Sequence, residues 1–123
     1  MSFLHDEIFE QPQVLRKLIE SEGEHAAEIA ALVHERRVSY VVIAARGSSD
    51  NAALYAKYLL GTLNQLPVAL ATPSLFTMYH APPRLQDALV IGISQSGQSS
   101  DIISVVSTAR EQGALTLAIT NEP

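Results

Sequence analysis

Three short apolar runs, rich in β-branched residues, constrain the fold of this chain more than any other feature. They occupy residues 40–45, 88–93 and 115–119, and a shorter run lies at residues 68–71. Apolar runs of this length without polar alternation are typical of strands that are buried on both faces of a sheet. Strands of that kind occur in parallel sheets covered by helices, so we predict an α/β protein.

Helical patterns alternate with these runs. Apolar residues recur at intervals of three and four over residues 11–21 and 24–37, with Pro12 in a first helical turn and Gly23 as the separator. Further helices are predicted at residues 49–63, 74–79 and 99–111. Alternating strands and helices predict a three-layer sandwich with a parallel sheet, of flavodoxin-like or Rossmann-like type. We expect a helical lead at residues 1–37 and an α/β domain at residues 38–123.

The end of the chain carries no helix to cover the last predicted strand. Only Asn121-Glu122-Pro123 follow its final residues. Parallel sheets are normally protected on both faces, so either another chain covers this strand or the sequence is the front part of a longer protein. We favour the second interpretation and expect a domain that is incomplete at its C-terminus.

Composition excludes several classes of protein. Among 123 residues there is no cysteine, and the formal net charge is −5. Disulfide scaffolds, thiolate metal sites and cysteine nucleophiles are therefore excluded, and no basic patch is available for nucleic acid. No apolar run approaches the roughly 18 residues of a membrane span, and the acidic first ten residues do not resemble a secretory signal. We expect a cytoplasmic protein with no membrane or nucleic-acid partner.

Two polar turns follow the first and second long runs. They are Arg46-Gly47-Ser48-Ser49-Asp50 and Ser94-Gln95-Ser96-Gly97-Gln98-Ser99-Ser100-Asp101. Ligands of open parallel sheets bind outside the carboxyl ends of the strands, where these turns are predicted. The second turn also opens a helix, whose unpaired N–H groups and dipole favour an anion. The sequence therefore predicts a phosphate site made of main-chain amides and hydroxyls.

Rival motifs for nucleotides and for hydrolysis are missing. The sequence has no G-x-x-x-x-G-K-[ST], and Arg46-Gly47-Ser48-Ser49 lacks the second and third glycines of a dinucleotide turn. Ser94-Gln95-Ser96-Gly97 does not match the G-x-S-x-G of a serine hydrolase. We therefore expect neither ATP nor NAD, and predict no cofactor.

Individual polar residues are weaker candidates. His25 and His34 are nine positions apart on a predicted helix, which does not place both on one metal ion, so no metal site is predicted. His80 is a lone loop histidine, and the helix dipole alone explains Asp50 and Asp101.

Two questions stay open at this stage. Serine is a common N-cap residue, so any single serine in these turns has a structural explanation. Arg46 is compatible with a contact to the anionic end of a ligand or with a salt bridge at a helix junction.

The two turns carry a resemblance to a known family. The segment Ser94 to Asp101, with Gly47-Ser48-Ser49 before it and Thr120-Asn121 after the next strand, resembles the SIS (sugar isomerase) domain family. Residues 7–12 are similar to the segment before the isomerase half of glutamine–fructose-6-phosphate aminotransferases. Residues 48–52 and 73–79 are similar to SIS-type glucosamine-6-phosphate deaminases. Residues 38–123 would then be the N-terminal portion of a SIS domain.

The resemblance implies a five-stranded parallel sheet that binds a phosphosugar. Ser94, Gln95, Ser96 and Ser99 would hold the phosphate. Gly47, Ser48 and Ser49 would contact the sugar or the phosphate. It also implies a homodimer that completes the site.

The resemblance further implies an aldose–ketose isomerase or deaminase that acts on amino-sugar 6-phosphates. The catalytic glutamate, histidine and lysine of that pattern lie beyond position 123, so the catalytic residues are unknown here. Glutamine hydrolysis is not expected, because the chain has no cysteine. The alternatives are a non-catalytic sugar-phosphate sensor in a regulator and a structural partner that dimerises through the first two helices.

Overall fold

The computed structural model describes residues 2–121 of the chain. It divides into two compact units, Met1–Glu35 and Arg36–Pro123. The first unit is one helix, α1, at Phe3–Glu35. The second contains β1 (Tyr40–Ala45), α2 (Ser49–Asn64), β2 (Val68–Leu70), α3 (Ser74–Thr77), β3 (Ala88–Ser94), α4 (Ser100–Glu111) and β4 (Leu115–Thr120).

The prediction of two N-terminal helices is wrong. α1 runs without interruption through Gly23, and Pro12 lies inside it rather than in its first turn. A glycine in the interior of a helix lowers the stability of the helix by only about 1 kcal/mol relative to alanine, so it does not end a long helix by itself. The helix ends at Glu35, and Arg37 takes a left-handed backbone with φ 52°.

The predicted strands and the remaining helices are observed within one or two residues of their predicted limits. All strand pairs are parallel, and the order in the sheet is β2-β1-β3-β4. Four strands thus lie within residues 2–121, where the family resemblance implied five for a full domain. The α/β fold with a parallel sheet is confirmed.

The core lies on both sides of the two central strands. On one face, Val42 and Val90 pack with residues of α3 and α4, among them Phe76, Ile102 and Val105. Their neighbours in the strands point to the opposite face. α2 packs against β1 and β2, with Ala53 fully buried.

Gly92 in β3 sets the distance between the sheet and α4. A Cβ atom at this position would lie 2.7 Å from Val106 Cγ2 and 3.0 Å from Ile102 Cγ2, both on α4. These distances are shorter than normal contacts, so only glycine allows α4 to lie this close to the strand that leads into it.

We expect Gly92→Ala to lower the free energy of unfolding by about 1–3 kcal/mol, the usual cost of overpacking a core. Urea denaturation followed by circular dichroism measures the change. Gly61→Ala, at a position within α2, is the matched control, because its new Cβ would lie 3.9 Å from the carbonyl oxygen of Leu66, an ordinary contact distance. That control is expected to stabilise the protein by about 0.5–1 kcal/mol. Equal stability of Gly92→Ala and the wild type would contradict this account of the packing.

Candidate functional site

The turns that follow β1 and β3 lie side by side at the centre of the sheet. These strands are neighbours, and Ala45 pairs with Ile93, so the next residues, Arg46 and Ser94, lie at the same level of the sheet. From β1 the chain crosses to β2 on one side, and from β3 it crosses to β4 on the other. Such a change of direction opens a crevice at the carboxyl ends of the strands, where ligands of open α/β sheets bind.

A cavity of about 520 Å³ occupies this crevice. All seven residues predicted for the site line it: Gly47, Ser48, Ser49, Ser94, Gln95, Ser96 and Ser99. Arg46, Ile93, Ile102 and Asn121 complete its described lining. The structure thus brings the predicted residues together in a space of the size that small-molecule sites have.

The turn after β3 is held by its own serines. The N–H of Gly97 donates to Ser94 Oγ at 3.1 Å, and the N–H of Gln98 donates to Ser96 Oγ at 3.1 Å. Gly97 has φ 69°, a left-handed conformation that side chains disfavour. Because both hydroxyls act as acceptors inside the turn, each keeps its hydrogen for donation to a ligand.

The start of α4 leaves main-chain donors open. Ser99 is the N-cap residue and makes no side-chain bond to the helix. Within residues 2–121, the N–H groups of Ser100, Asp101 and Ile102 have no hydrogen-bond partner, and the first bond of the helix comes from Ile103. These donors and the helix dipole favour an anion at this end of α4.

The start of α2 is different, although its sequence is similar. The N–H groups of Ser49, Asp50 and Asn51 donate to the carbonyl groups of Arg46, Gly47 and Ser48 at 3.1–3.2 Å. Ser48, the N-cap residue, makes no side-chain bond to the helix. This turn therefore offers hydroxyl groups to the cavity, and the first three amides of its helix are already bonded.

Arg46 forms a salt bridge, which was one of the two roles open from the sequence. Its Nη1 lies 2.6 Å from Asp101 Oδ2 in the first turn of α4. The bond ties the turn after β1 to the helix after β3. Asp101 thus has a specific partner in addition to the helix dipole.

Other polar residues lie elsewhere. His80 is an exposed loop residue with φ 50°, and His25 lies on α1 with Nδ1 3.8 Å from Glu28 Oε2. In the described part of the chain, no group of three His, Cys, Asp or Glu side chains is arranged to hold a metal ion. Over the same residues, no helix is both long and apolar enough to cross a membrane.

Sequence reasoning did not assign Asn121 and Ile102 to the site. Asn121 directly follows β4, whose Thr120 pairs with Ser94, so the rule for strand ends that identified the serine turns also applies to it. Ile102 is a buried residue of α4 and contributes an apolar wall to the cavity. The spacing of Ile102 along the helix predicts a core residue and does not indicate that it also contacts the cavity.

Comparisons with known proteins identify the family of this chain. The family model of the SIS domain matches residues 32–123. Glutamine–fructose-6-phosphate aminotransferase (isomerizing) of Halobacterium salinarum is 34% identical over 125 residues, and that of Thermus thermophilus is 35% identical over 124 residues. The alignments cover 97% of this chain and 21% and 20% of those enzymes, so the chain spans about a fifth of their length.

Two solved structures share the fold. A protein from Silicibacter pomeroyi, proposed to be a phosphosugar isomerase, is 38% identical with a TM-score of 0.94, over 99% of this chain and 37% of that one. The C-terminal domain of glucosamine-fructose-6-phosphate aminotransferase from Francisella tularensis is 25% identical with a TM-score of 0.76. That match covers 98% of this chain and 35% of the other.

Ser99→Ala tests whether this serine stabilises the helix or serves the cavity. An N-cap serine that bonds its helix contributes about 1 kcal/mol. Because Ser99 makes no such bond, we expect the free energy of unfolding to change by less than about 0.5 kcal/mol in urea denaturation.

Gln112→Ala is the positive control for that measurement. The Gln112 side chain accepts from the N–H of Leu85 at 2.7 Å and donates to the carbonyl of Pro83 at 3.0 Å. We expect its loss to cost about 1–3 kcal/mol, because it leaves the N–H of a buried residue without a partner. A comparable loss for Ser99→Ala would make Ser99 a structural cap.

Proposed function

The chain belongs to the SIS domain family, and on that premise we propose that it binds the phosphate group of a sugar phosphate in the cavity between the turns that follow β1 and β3. One observation carries the proposal. The hydroxyls of two serine turns line one cavity together with Ser99 and Ile102 at the start of α4, where the first N–H groups of the helix are open. A phosphate dianion is a ligand that accepts from many donors at once.

Each turn has its own part in the proposed complex. The amides at the start of α4 and the hydroxyls of Ser94, Ser96 and Ser99 donate to the phosphate, with Gln95 beside them. Gly47, Ser48 and Ser49 contact the sugar or a remaining phosphate oxygen. The hydroxyls can rotate their hydrogens toward the ligand without breaking the turn, because Ser94 and Ser96 accept the bonds that hold it.

We propose that the ligand is an amino-sugar 6-phosphate or the related ketose phosphate, in an isomerase or deaminase reaction. The names of the aminotransferase relatives support this substrate class. Interconversion of an aldose and a ketose moves a proton between C1 and C2 and requires a base. Among the described residues, the lining of the cavity contains no carboxylate. The chain is therefore proposed to supply binding, with the base supplied from elsewhere.

Glutamine hydrolysis is not part of the proposal. The sequence contains no cysteine, so this chain has no thiol to attack an amide. The proposed setting is the cytoplasm.

Calorimetric titration tests the binding proposal. We expect glucosamine-6-phosphate, fructose-6-phosphate and inorganic phosphate to bind, and glucose not to bind. Ser96→Ala should weaken phosphosugar binding by about tenfold, because it removes a donor to a charged group. Ser21→Ala, an exposed position of α1 in the other compact unit, is the control and should bind like the wild type. Equal affinity for glucose and glucosamine-6-phosphate would refute the proposal.

We also propose that the chain forms a homodimer. α1 has no buried residue, and its apolar side chains Leu4, Ile8, Leu15 and Ile19 are all exposed. Their spacing places them on one stripe of the helix, as expected for a surface that packs against a partner.

Light scattering after size exclusion measures the mass. We expect twice the 13.3 kDa of one chain for the wild type. The variant with both Leu15→Lys and Ile19→Lys should elute as a monomer, because two charges would be buried in the apolar stripe. A monomeric wild type, or an unchanged dimer in the variant, would contradict the proposed interface.

A further inference from the structure

The Arg46–Asp101 ion pair lies between two cavities. Arg46 lines the cavity between the two serine turns, which contains Ser48, Ser49, Ser94, Ser96 and Ser99 and is called the serine cavity below. It also lines a second cavity of about 620 Å³. Asp101 lines the second cavity, together with Asp50 and Asn51, and does not belong to the described lining of the serine cavity. Arg46 is therefore shared by the two cavities, and its guanidinium contacts the Asp101 carboxylate at 2.6 Å.

The position of Arg46 matters because of its positive charge. Arg46 is the one cationic side chain in the described lining of the serine cavity. Asp101 belongs to the first turn of α4, the same turn that presents the open amides. Its side chain is 29% exposed, so water screens its charge less than it would at an open surface. Without a partner, this carboxylate would oppose a phosphate at the start of the helix.

We propose that Arg46 is a positioning residue that cancels the charge of Asp101 at the anion site, so that the pair sets how strongly the site responds to the charge of its ligand. This inference rests on the proposed function, because it assumes that a phosphosugar occupies the serine cavity. The salt bridge holds the guanidinium beside the carboxylate, so the two opposite charges nearly cancel at the edge of the site.

Two other roles for Arg46 make different predictions. If the salt bridge only ties the two turns together, loss of either partner weakens binding. If Arg46 is mainly a direct phosphate ligand, its loss weakens binding whether or not Asp101 is present. Of the three roles, only the cancellation of charge predicts that removing Asp101 restores the binding affinity that is lost with Arg46. A double-mutant cycle separates these cases.

The experiment titrates the 123-residue chain with glucosamine-6-phosphate at low and at moderate salt. We expect Arg46→Met to weaken binding by about tenfold, because the uncompensated carboxylate repels the ligand. Asp101→Asn should tighten binding by about threefold and make it more sensitive to salt, because the site gains a net positive charge. The variant with both changes should bind about threefold more weakly than the wild type, because the tenfold loss and the threefold gain offset each other when the two charges act on the ligand additively.

Two further variants serve as controls. Arg46→Lys keeps the charge and should bind within about threefold of the wild type. Arg110→Met removes an exposed arginine nine residues further along α4, roughly 13 Å from Asp101 along the helix axis, and should leave binding unchanged. Circular dichroism verifies that each variant is folded.

The outcomes separate this inference from the function on which it rests. A wild type that binds no phosphosugar refutes the proposed function and the inference with it. A wild type that binds, with a double variant as weak as Arg46→Met, refutes the inference alone and makes Arg46 a direct ligand. Weaker binding by Asp101→Asn, or by Arg46→Lys to the level of Arg46→Met, also overturns it and leaves the salt bridge as a structural tie.

Discussion

The pairing of β1 with β3 is the constraint on which the candidate site depends. Their register runs from Tyr40 with Ala88 to Ala45 with Ile93, so the two strands end within one residue of the same level. A shift of one residue would turn every side chain of a strand to the other face of the sheet. Because both faces are buried, the register is strongly determined, and the two serine turns meet as a consequence of core packing.

Local patterns in the sequence were sufficient for the elements but not for their arrangement. Buried strands are recognisable from apolar runs, since polar residues cannot occupy either face of such a strand. The order β2-β1-β3-β4 depends on which crossovers pack best in three dimensions, and no local pattern encodes it. At Gly23 the local pattern was misleading, because a residue that only weakens a helix was taken as one that ends it. Asn121 was not assigned to the site although it directly follows a predicted strand, and the structure adds that β4 lies beside β3, which brings Asn121 to the cavity.

The two serine turns look alike in sequence and differ in chemistry. In both, the N-cap serine leaves its hydroxyl unused by the helix, and a glycine takes a positive φ. At α2 the first amides are already bonded to the carbonyls of the turn, whereas at α4 they are open. The difference comes from the backbone of the N-cap residue, which is helical at Ser48 (ψ −22°) and extended at Ser99 (ψ 118°). Sequence alone does not reveal this difference, because serine adopts both conformations.

Neutral donors suit the proposed ligand better than lysine side chains would. A lysine in the cavity would attract any anion and would carry the entropy of a long flexible chain into the complex. Amides at a helix start and hydroxyls in a short turn are already fixed by the backbone, so little freedom is lost when they bind. Such neutral donors attract an anion only weakly, so we expect an uncompensated carboxylate nearby to lower the affinity for the anion strongly. For the proposed ligand, we therefore expect the salt bridge between Arg46 and Asp101 at the edge of the site to matter more than surface ion pairs usually do.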